Sequence, residues 1–594
     1  MNFKNRSVQR ALLLVAIFAM ATVSLAQNQK KAAPAKPVEE TPLQRVWKEF
    51  QSAAKESKGD PQKEVSILAQ YVKEHAADIH GNSLGANFGF AMADALPKMK
   101  NDQQAMIASL KTMNKAMASV APFDRAQYDA ILATRGMLQP KLMLAEGAKL
   151  ARQSVDLMRE NDYIENAREQ NQESNDYHRT HDKNFTPEAF SLSDAQAHFA
   201  GEKASRLATL GSLDVLLCKF DEAAAAFQQS IDLHPVTGAY VGLSRIEENK
   251  GDKPKALELL AKGYLAGRMS AEDNVHLRAL YGGLYPKAGD KELQEYLDKL
   301  YAPTFHNPIA PQPYQANSSD TGHAVLAELF TGAGCEPCMS PDLSFDAALQ
   351  RYSRKQMVLV VYHNNAPDND PLTNFAGEER GHFYKTQLST PHVIIDGKEV
   401  MIGEGLPDHA QAAYDKLTAL VDKALTQPSG GELHISAKLV GQQVHVQVTG
   451  NVSDLKGAAH LQIVLLEKEV HYSGANTLRF QPMVERAMAD LGKDSSGIPV
   501  ASDGSIHAEY VFDLDQIAGA NMRYYDHDLA QLRSRVPWYV DFPEERPEVN
   551  PDDLAVAAFV QQDSDKRIVQ SSYFALPAPA ATPAVTKAET KPHD

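Results

Sequence analysis

Two cysteines three positions apart, Cys335 and Cys338, stand in the stretch ELFTGAGCEPCMSPDLSF, with a glycine-rich loop before them and a helix-like run after them. A pair at this spacing can exchange electrons as a dithiol and disulfide, supply half of a metal site, or clip structure. The chain of 594 residues has three cysteines, the third being Cys218, too few for a disulfide framework. A metal reading needs more ligands. There is no second CxxC, and distant histidines such as His363 and His382 would have to be recruited. We therefore expect no metal and no bound cofactor beyond a redox-active Cys335–Cys338 disulfide.

The positions around the pair suit thiol chemistry. Cys335 falls where the loop enters the helix, where unpaired N–H groups and the positive end of the helix dipole favour a thiolate; it is the candidate nucleophile. Cys338 lies one turn on and on the same face, close enough to resolve a mixed disulfide. Pro337 is tolerated in the first turn, where its missing N–H costs nothing, and it stiffens the pair. Glu336 places a negative charge beside Cys335, which disfavours the thiolate and makes the disulfide less oxidising. That points to a reductase or isomerase over a strong oxidant. His363 or His392 would shift this the other way if either approached the sulfurs.

The N-terminus predicts the compartment. Lys4, Arg6 and Arg10 precede the apolar run ALLLVAIFAMATV, and Ser24-Leu25-Ala26 places small residues at a cleavage site, so residues 1–26 read as a signal peptide. The expectation is an exported chain of the bacterial periplasm or cell envelope, with no transmembrane span after cleavage and, lacking a cysteine after the apolar core, no lipid anchor. Cleavage takes the formal charge from −16 to about −19. Such a chain repels phosphate backbones, which excludes nucleic acid as a partner. Outside the cytosol disulfides persist, and thiols need a reason to exist.

The elements that must position these residues read as several domains. Residues 27–42 are a Pro/Ala/Lys-rich linker. From 43 to 301 Ala, Leu and Met recur at helical spacing. The clearest pieces lie within 204–265: LGSLDVLLCKFDEAAAAFQQSIDLHP (Leu210 to Pro235) and a weaker copy, Tyr240 to Tyr264, with Ala256 lying 33 residues after Ala223. Small residues at Gly211 and Ala223 let two helices approach, Phe227 fills the space between them, and Pro235 ends the second. Cys218, at the inter-helix turn, reads as a buried small residue. The polar run Arg159 to Phe185 reads as an exposed loop or helix extension. A Pro-rich linker follows at 302–321. Residues 322–427 read as β-α-β-α-β-β-α, with two short strands meeting across Asp396-Gly397. From 432 to 574 short alternating strands predict an antiparallel sandwich of immunoglobulin-like type, and 575–594 a disordered tail.

Three family resemblances rest on these residues. Leu210-Gly211, Phe220, Ala223, Phe227 and Pro235 fall at tetratricopeptide spacings, which implies a concave surface for a partner protein. The strand into Cys335-Glu336-Pro337-Cys338, the helix after it, TPHVIIDG with Pro391, and the closing helix resemble the thioredoxin-like family. That resemblance implies a cis-proline at Pro391 beside the sulfurs, and a Thr390 backbone that pairs with an incoming client strand. The sequence departs from the family pattern in two places. Gly334 stands where an aromatic residue is usual, and Glu328 lies seven residues before Cys335 where the family's buried carboxylate lies six before. A longer Gly-Ala-Gly loop would let Glu328 accept a proton from Cys338; otherwise it is a strand glutamate exposed at an edge. The later strands, including IVLLEKEVHYSGANTLRFQPMVERAM, look like the sandwich that follows a thioredoxin-like domain in some outer-membrane-associated bacterial proteins, a similarity covering about Thr321 to Phe574. The expectation is an exported thiol–disulfide oxidoreductase acting on protein thiols and disulfides. The rival is a non-catalytic envelope scaffold that keeps this fold for binding.

Overall fold

A computed structural model describes residues 48 to 577, apart from 49–50, 53–54, 58, 78, 80–83, 182–186, 188, 317–319, 366–368, 387–388, 490–496, 536–541 and 543. The expected signal peptide, first linker and most of the tail lie outside the described residues. The chain forms two compact units, Met1–Ile246 and Glu247–Asp594. A helical region precedes a region of mixed sheet. Among the described residues no helix is long and apolar enough to cross a membrane.

The first unit is built of helices: α1 (Pro61–Glu74), α2 (Leu84–Ala95), α3 (Gln103–Met117), α4 (Pro122–Ile131), α5 (Leu144–Leu157), α6 (Glu160–His181), α7 (Leu192–Leu216), α8 (Phe220–Leu233) and the start of α9 (Thr237–Asn249). Its starts are marked locally. Asp60 accepts from the N–H groups of Gln62 and Lys63, and Ser191 from that of Asp194. Phe227 is fully buried in the space that Gly211 and Gly242 leave open. A Cβ added at either glycine would lie 2.6 or 2.2 Å from that ring. Within the polar run, residues 160–181 form α6, whose side chains bond along the helix, Gln170 to Asn166 and Asn175 to Asn171, and 182–185 lie outside the described residues. Cys218 departs from the expectation. It is exposed and takes a φ of 59° just after α7, because the chain reverses there through a left-handed residue.

The second unit begins with α10 (Lys253–Leu265), α11 (Ala271–Leu284) and α12 (Asp290–Tyr301). Then come β1 (Val325–Thr331), α13 (Met339–Arg351), β2 (Met357–His363), α14 (Phe375–Tyr384), β3 (His392–Ile395), β4 (Lys398–Val400) and α15 (Ala410–Leu425). β1 pairs β2 in parallel and β3 antiparallel, and β3 pairs β4 antiparallel across Asp396-Gly397, both at positive φ. All seven residues of β1 and of β2 are buried, as expected of strands covered on both faces. One face, through Val325, Ala327 and Leu329, packs on Leu343 and Ala347 of α13 and Leu417 of α15. The other, through Leu326 and Phe330, packs on Ala376 of α14 and Phe559.

The remaining elements are β5 (Gly431–Val440), β6 (Gln443–Val452), β7 (Ala459–His471), β8 (Phe480–Met488), β9 (Ile498–Pro499), β10 (Ser505–Asp513), α16 (Leu514–Arg535), β11 (Leu554–Gln562) and β12 (Ile568–Ala575). They do not close a sandwich of their own. The strand order β12-β11-β7-β8-β2-β1-β3-β4, with β9 paired to β7, joins the expected 322–427 and 432–574 regions in one nine-stranded sheet. The physical reason is that β2 has a free edge opposite β1, and β8 occupies it in parallel at Val361 and Val484. Among the described residues β5, β6 and β10 form a second sheet, whose Val444, Val446 and Phe512 share a core with Ile463, Val556 and Ala558 of the first.

Candidate redox site at the end of β1

Cys335 and Cys338 are joined as a disulfide, with an S–S distance of 2.03 Å and a Cα–Cα distance of 5.3 Å. The chain leaves β1 at Thr331, turns through Gly332-Ala333-Gly334, and enters a single 3-10 turn, Glu336–Cys338, that runs into α13. The Cys335 N–H donates to the Gly332 carbonyl at 2.9 Å. Glu336 and Pro337 face solvent, whereas Cys335 is 2% exposed and Cys338 0%. The pair is thus capped by its own backbone turn and closed to solvent at sulfur.

Three segments hold this loop. From the β2 side, Asp370 accepts the Ala333 N–H at 2.6 Å and sits 2.8 Å from Nδ1 of the buried His363. From the β7–β8 connection, the Asn476 N–H donates to the Ala333 carbonyl at 2.9 Å, and its side-chain amide reaches the Gly332 carbonyl at 3.4 Å. From the segment after β4, Gly405 donates to the Pro337 carbonyl at 2.8 Å and accepts from the Ser340 N–H at 3.0 Å. Thr390 and Pro391 are half-buried just before β3, joined by a cis peptide bond.

Glu328 is neither an exposed edge residue nor a neighbour of Cys338. Strand alternation turns it to the face that carries α14, away from α13. There it is fully buried, with both oxygens on Arg380 at 2.7 and 3.1 Å and with Tyr362 and Tyr384 at 3.2 and 2.7 Å. Arg380 also reaches Gln561 of β11 at 2.8 Å. Burial alone lowers the guanidinium pKa, but the Glu328 carboxylate, with the Tyr384 and Tyr362 hydroxyls, outweighs it and holds the value above the ordinary one. His392 is also engaged elsewhere: its ring lies 2.8 Å from the Ser389 hydroxyl and against Glu399. His382 is exposed on α14 beside Glu379.

The acid on the cysteine side of the sheet is Asp342. It lies four residues after Cys338, one turn along the same helix face. Burial pushes its carboxyl up to about 7; the Thr331 hydroxyl and the His363 ring pull it back less strongly, and Asp370 adds to the rise. Thr331 and His363 are register partners at the ends of β1 and β2. The Asp342 Oδ2, Thr331 Oγ1 and His363 Nε2 atoms are all shut away from solvent. Sequence reasoning passed over Asp342 although its spacing from Cys338 was visible. Asp370 and Asn476 carry no such signal, because each reaches the loop from an irregular segment.

No family model matches the chain, and no curated protein matches it. Among solved structures it is similar to HBP35 of Porphyromonas gingivalis, at 15% sequence identity over 44% of this chain and 78% of that one, with a TM-score of 0.30. A likeness at that score carries no argument about fold or activity.

Proposed function

We propose that this chain is an exported thiol–disulfide oxidoreductase of thioredoxin-like type acting on protein disulfides. The observation that carries the reading is the Cys335–Cys338 disulfide at a strand-to-helix junction, backed by a buried acid one turn along the helix. In the dithiol form the Cys335 thiolate attacks a client disulfide. A mixed disulfide forms and one client sulfur leaves as thiolate. Cys338 then loses its proton, with Asp342 as the acceptor that Glu328 cannot be, and attacks Cys335. The second client sulfur leaves, the client has gained two electrons, and the enzyme holds the disulfide seen here. An external dithiol must reduce it again. Thr390, from its place before β3, is assigned by the resemblance to pairing with the client backbone.

A second reading has its own observation. With Cys335 2% exposed, the disulfide can serve as an internal clip in an envelope scaffold whose surfaces bind partners. Trapping separates the two. In Cys338→Ala protein, oxidoreductase action leaves client proteins disulfide-linked to Cys335, and Cys335→Ala abolishes them. No trapped client, together with no dithiol-driven reduction of insulin, leaves the scaffold reading.

A further inference from the structure

The connection between β7 and β8 does more than turn the chain. Residues 472–479 are buried almost throughout, with Ser473 at 3%, Asn476 at 1% and Arg479 at 0% exposure. At one end the segment sits on the loop before Cys335. Besides the two Asn476 bonds, Gly474 comes so close that an added Cβ would lie 2.1 Å from the Ala333 carbonyl oxygen. Tyr472 and Val470 pack on Ala333 from the same side. At its other end the segment is fastened to α12. Arg479 Nε donates to Asp298 at 2.6 Å, and its terminal nitrogen reaches the Gln294 side chain at 2.9 Å. His471 Nδ1 lies 3.0 Å from the other Asp298 oxygen, and Phe480 stacks edge-on with Tyr301.

Between these two ends the segment braces itself. The Tyr472 N–H donates to the Arg479 carbonyl at 2.9 Å, and the Leu478 N–H to the Asn476 side chain at 3.1 Å. Gln481 ties the Tyr472 and Leu478 carbonyls together. A segment cross-braced in this way moves as one piece, so a displacement at Asp298 is felt at Asn476.

We infer that residues 473–478 are a strap that shuts the cysteine pair away from solvent, and that α12 latches it through Asp298. The inference rests on the oxidoreductase reading for its purpose: a thiol enzyme whose nucleophile is buried needs an opening step, and this connection, bonded to the Gly332-Ala333 loop that leads into Cys335, is the piece assigned to lift. The latch makes access to Cys335 depend on α12. Displacing Asp298 from Arg479 and His471 frees the strap, and the Gly332-Ala333 peptides then lose their cover.

The test measures alkylation of Cys335 by N-ethylmaleimide in the full-length, dithiol-reduced protein, normalised to the same thiol in urea. The exposed Cys218 serves as the internal reference. In the wild type, Cys335 reacts at least about tenfold more slowly than Cys218, since it must wait for local opening. Asp298→Asn keeps the shape and removes the charge; Asn476→Ala removes the amide contact; Gly474→Ala pushes the strap off without touching the latch. Each raises the Cys335 rate about tenfold with Cys218 and circular dichroism unchanged. A wild-type Cys335 that reacts as fast as Cys218 overturns the strap. So does an unchanged Cys335 rate in folded Asn476→Ala and Gly474→Ala proteins; an unchanged rate in Asp298→Asn alone overturns the latch. Insulin reduction by the same variants reads the enzyme activity separately. Faster alkylation without turnover refutes the oxidoreductase reading and leaves the strap.

Discussion

Glu328 of β1 and Arg380 of α14 form a two-point ion pair, at 2.7 and 3.1 Å, with neither side chain more than 3% exposed. Tyr362 and Tyr384 supply further donors to the carboxylate, and Gln561 ties the guanidinium to β11. Removing one member strands a charge where no water can reach it. We expect Arg380→Met and Glu328→Leu each to destabilise the second unit by about 3–5 kcal/mol, and the double variant to lose much less than the sum of the two. Urea unfolding of the single and double variants measures this. Thiol exchange per folded molecule should be unaltered, because the pair faces away from α13.

Asp342 makes a prediction in pH. Its folded-state value is raised to about 7, above the ordinary carboxyl range, so between about 4 and 7 the folded chain holds a proton that the unfolded chain has released. Stability from this group is therefore complete below about pH 4, falls as pH rises towards 7, and stays lost above it. Asp342→Asn should flatten that fall and stabilise the protein at pH 8. Glu485, buried and also raised to about 7, and Asp129, raised to about 6, keep the flattening partial. Unfolding midpoints from pH 4.5 to 8 decide it. In single-turnover exchange the same variant should slow release from the mixed disulfide by about 100-fold, as expected for a lost general base.

Glu336 is exposed beside the disulfide. Reversing its charge in Glu336→Lys should favour the Cys335 thiolate and raise the reduction potential by about 10–30 mV, read by equilibration against glutathione. A lower potential would contradict the electrostatic argument.

In the first unit, Phe227→Ala should cost about 3–5 kcal/mol, because the ring fills a space that Gly211 and Gly242 were left bare to create. Gly211→Val should also destabilise, by overpacking against the same ring. Thermal melts of the full chain, followed by helical circular dichroism, should show both losses.

The sequence disclosed individual elements better than their neighbours. β2 was readable because MVLVVYH is apolar throughout, and β7, β11 and β12 because alternation and β-branching survive in them. None of those patterns says which strand lies alongside, so the pairing of β2 with β8 across the 428–431 segment could not be foreseen. Glu328 shows the same limit at one residue. Its distance from Cys335 suggested a role there, yet the parity that puts Ala327 and Leu329 towards α13 and α15 puts Glu328 on the face of α14. Asp342 was legible in principle, four residues past Cys338 on a helix. Asp370 and Asn476 were not, since contact from an irregular segment leaves no period to read. Cys218 was misjudged because its left-handed backbone is a property of the turn, not of the residue.

The nine-stranded sheet has a consequence for heredity as well as for shape. β2, beside the strand that leads into the cysteines, is flanked on its other side by β8, which the chain makes more than a hundred residues later. Translation must therefore hold an apolar strand with an unclaimed edge until the late partner arrives, and a gene ending at Gln427 would encode a sticky fragment. The cysteine pair and the C-terminal strands are therefore not separable like beads on a string, because the sheet beneath the pair is complete only when both are present.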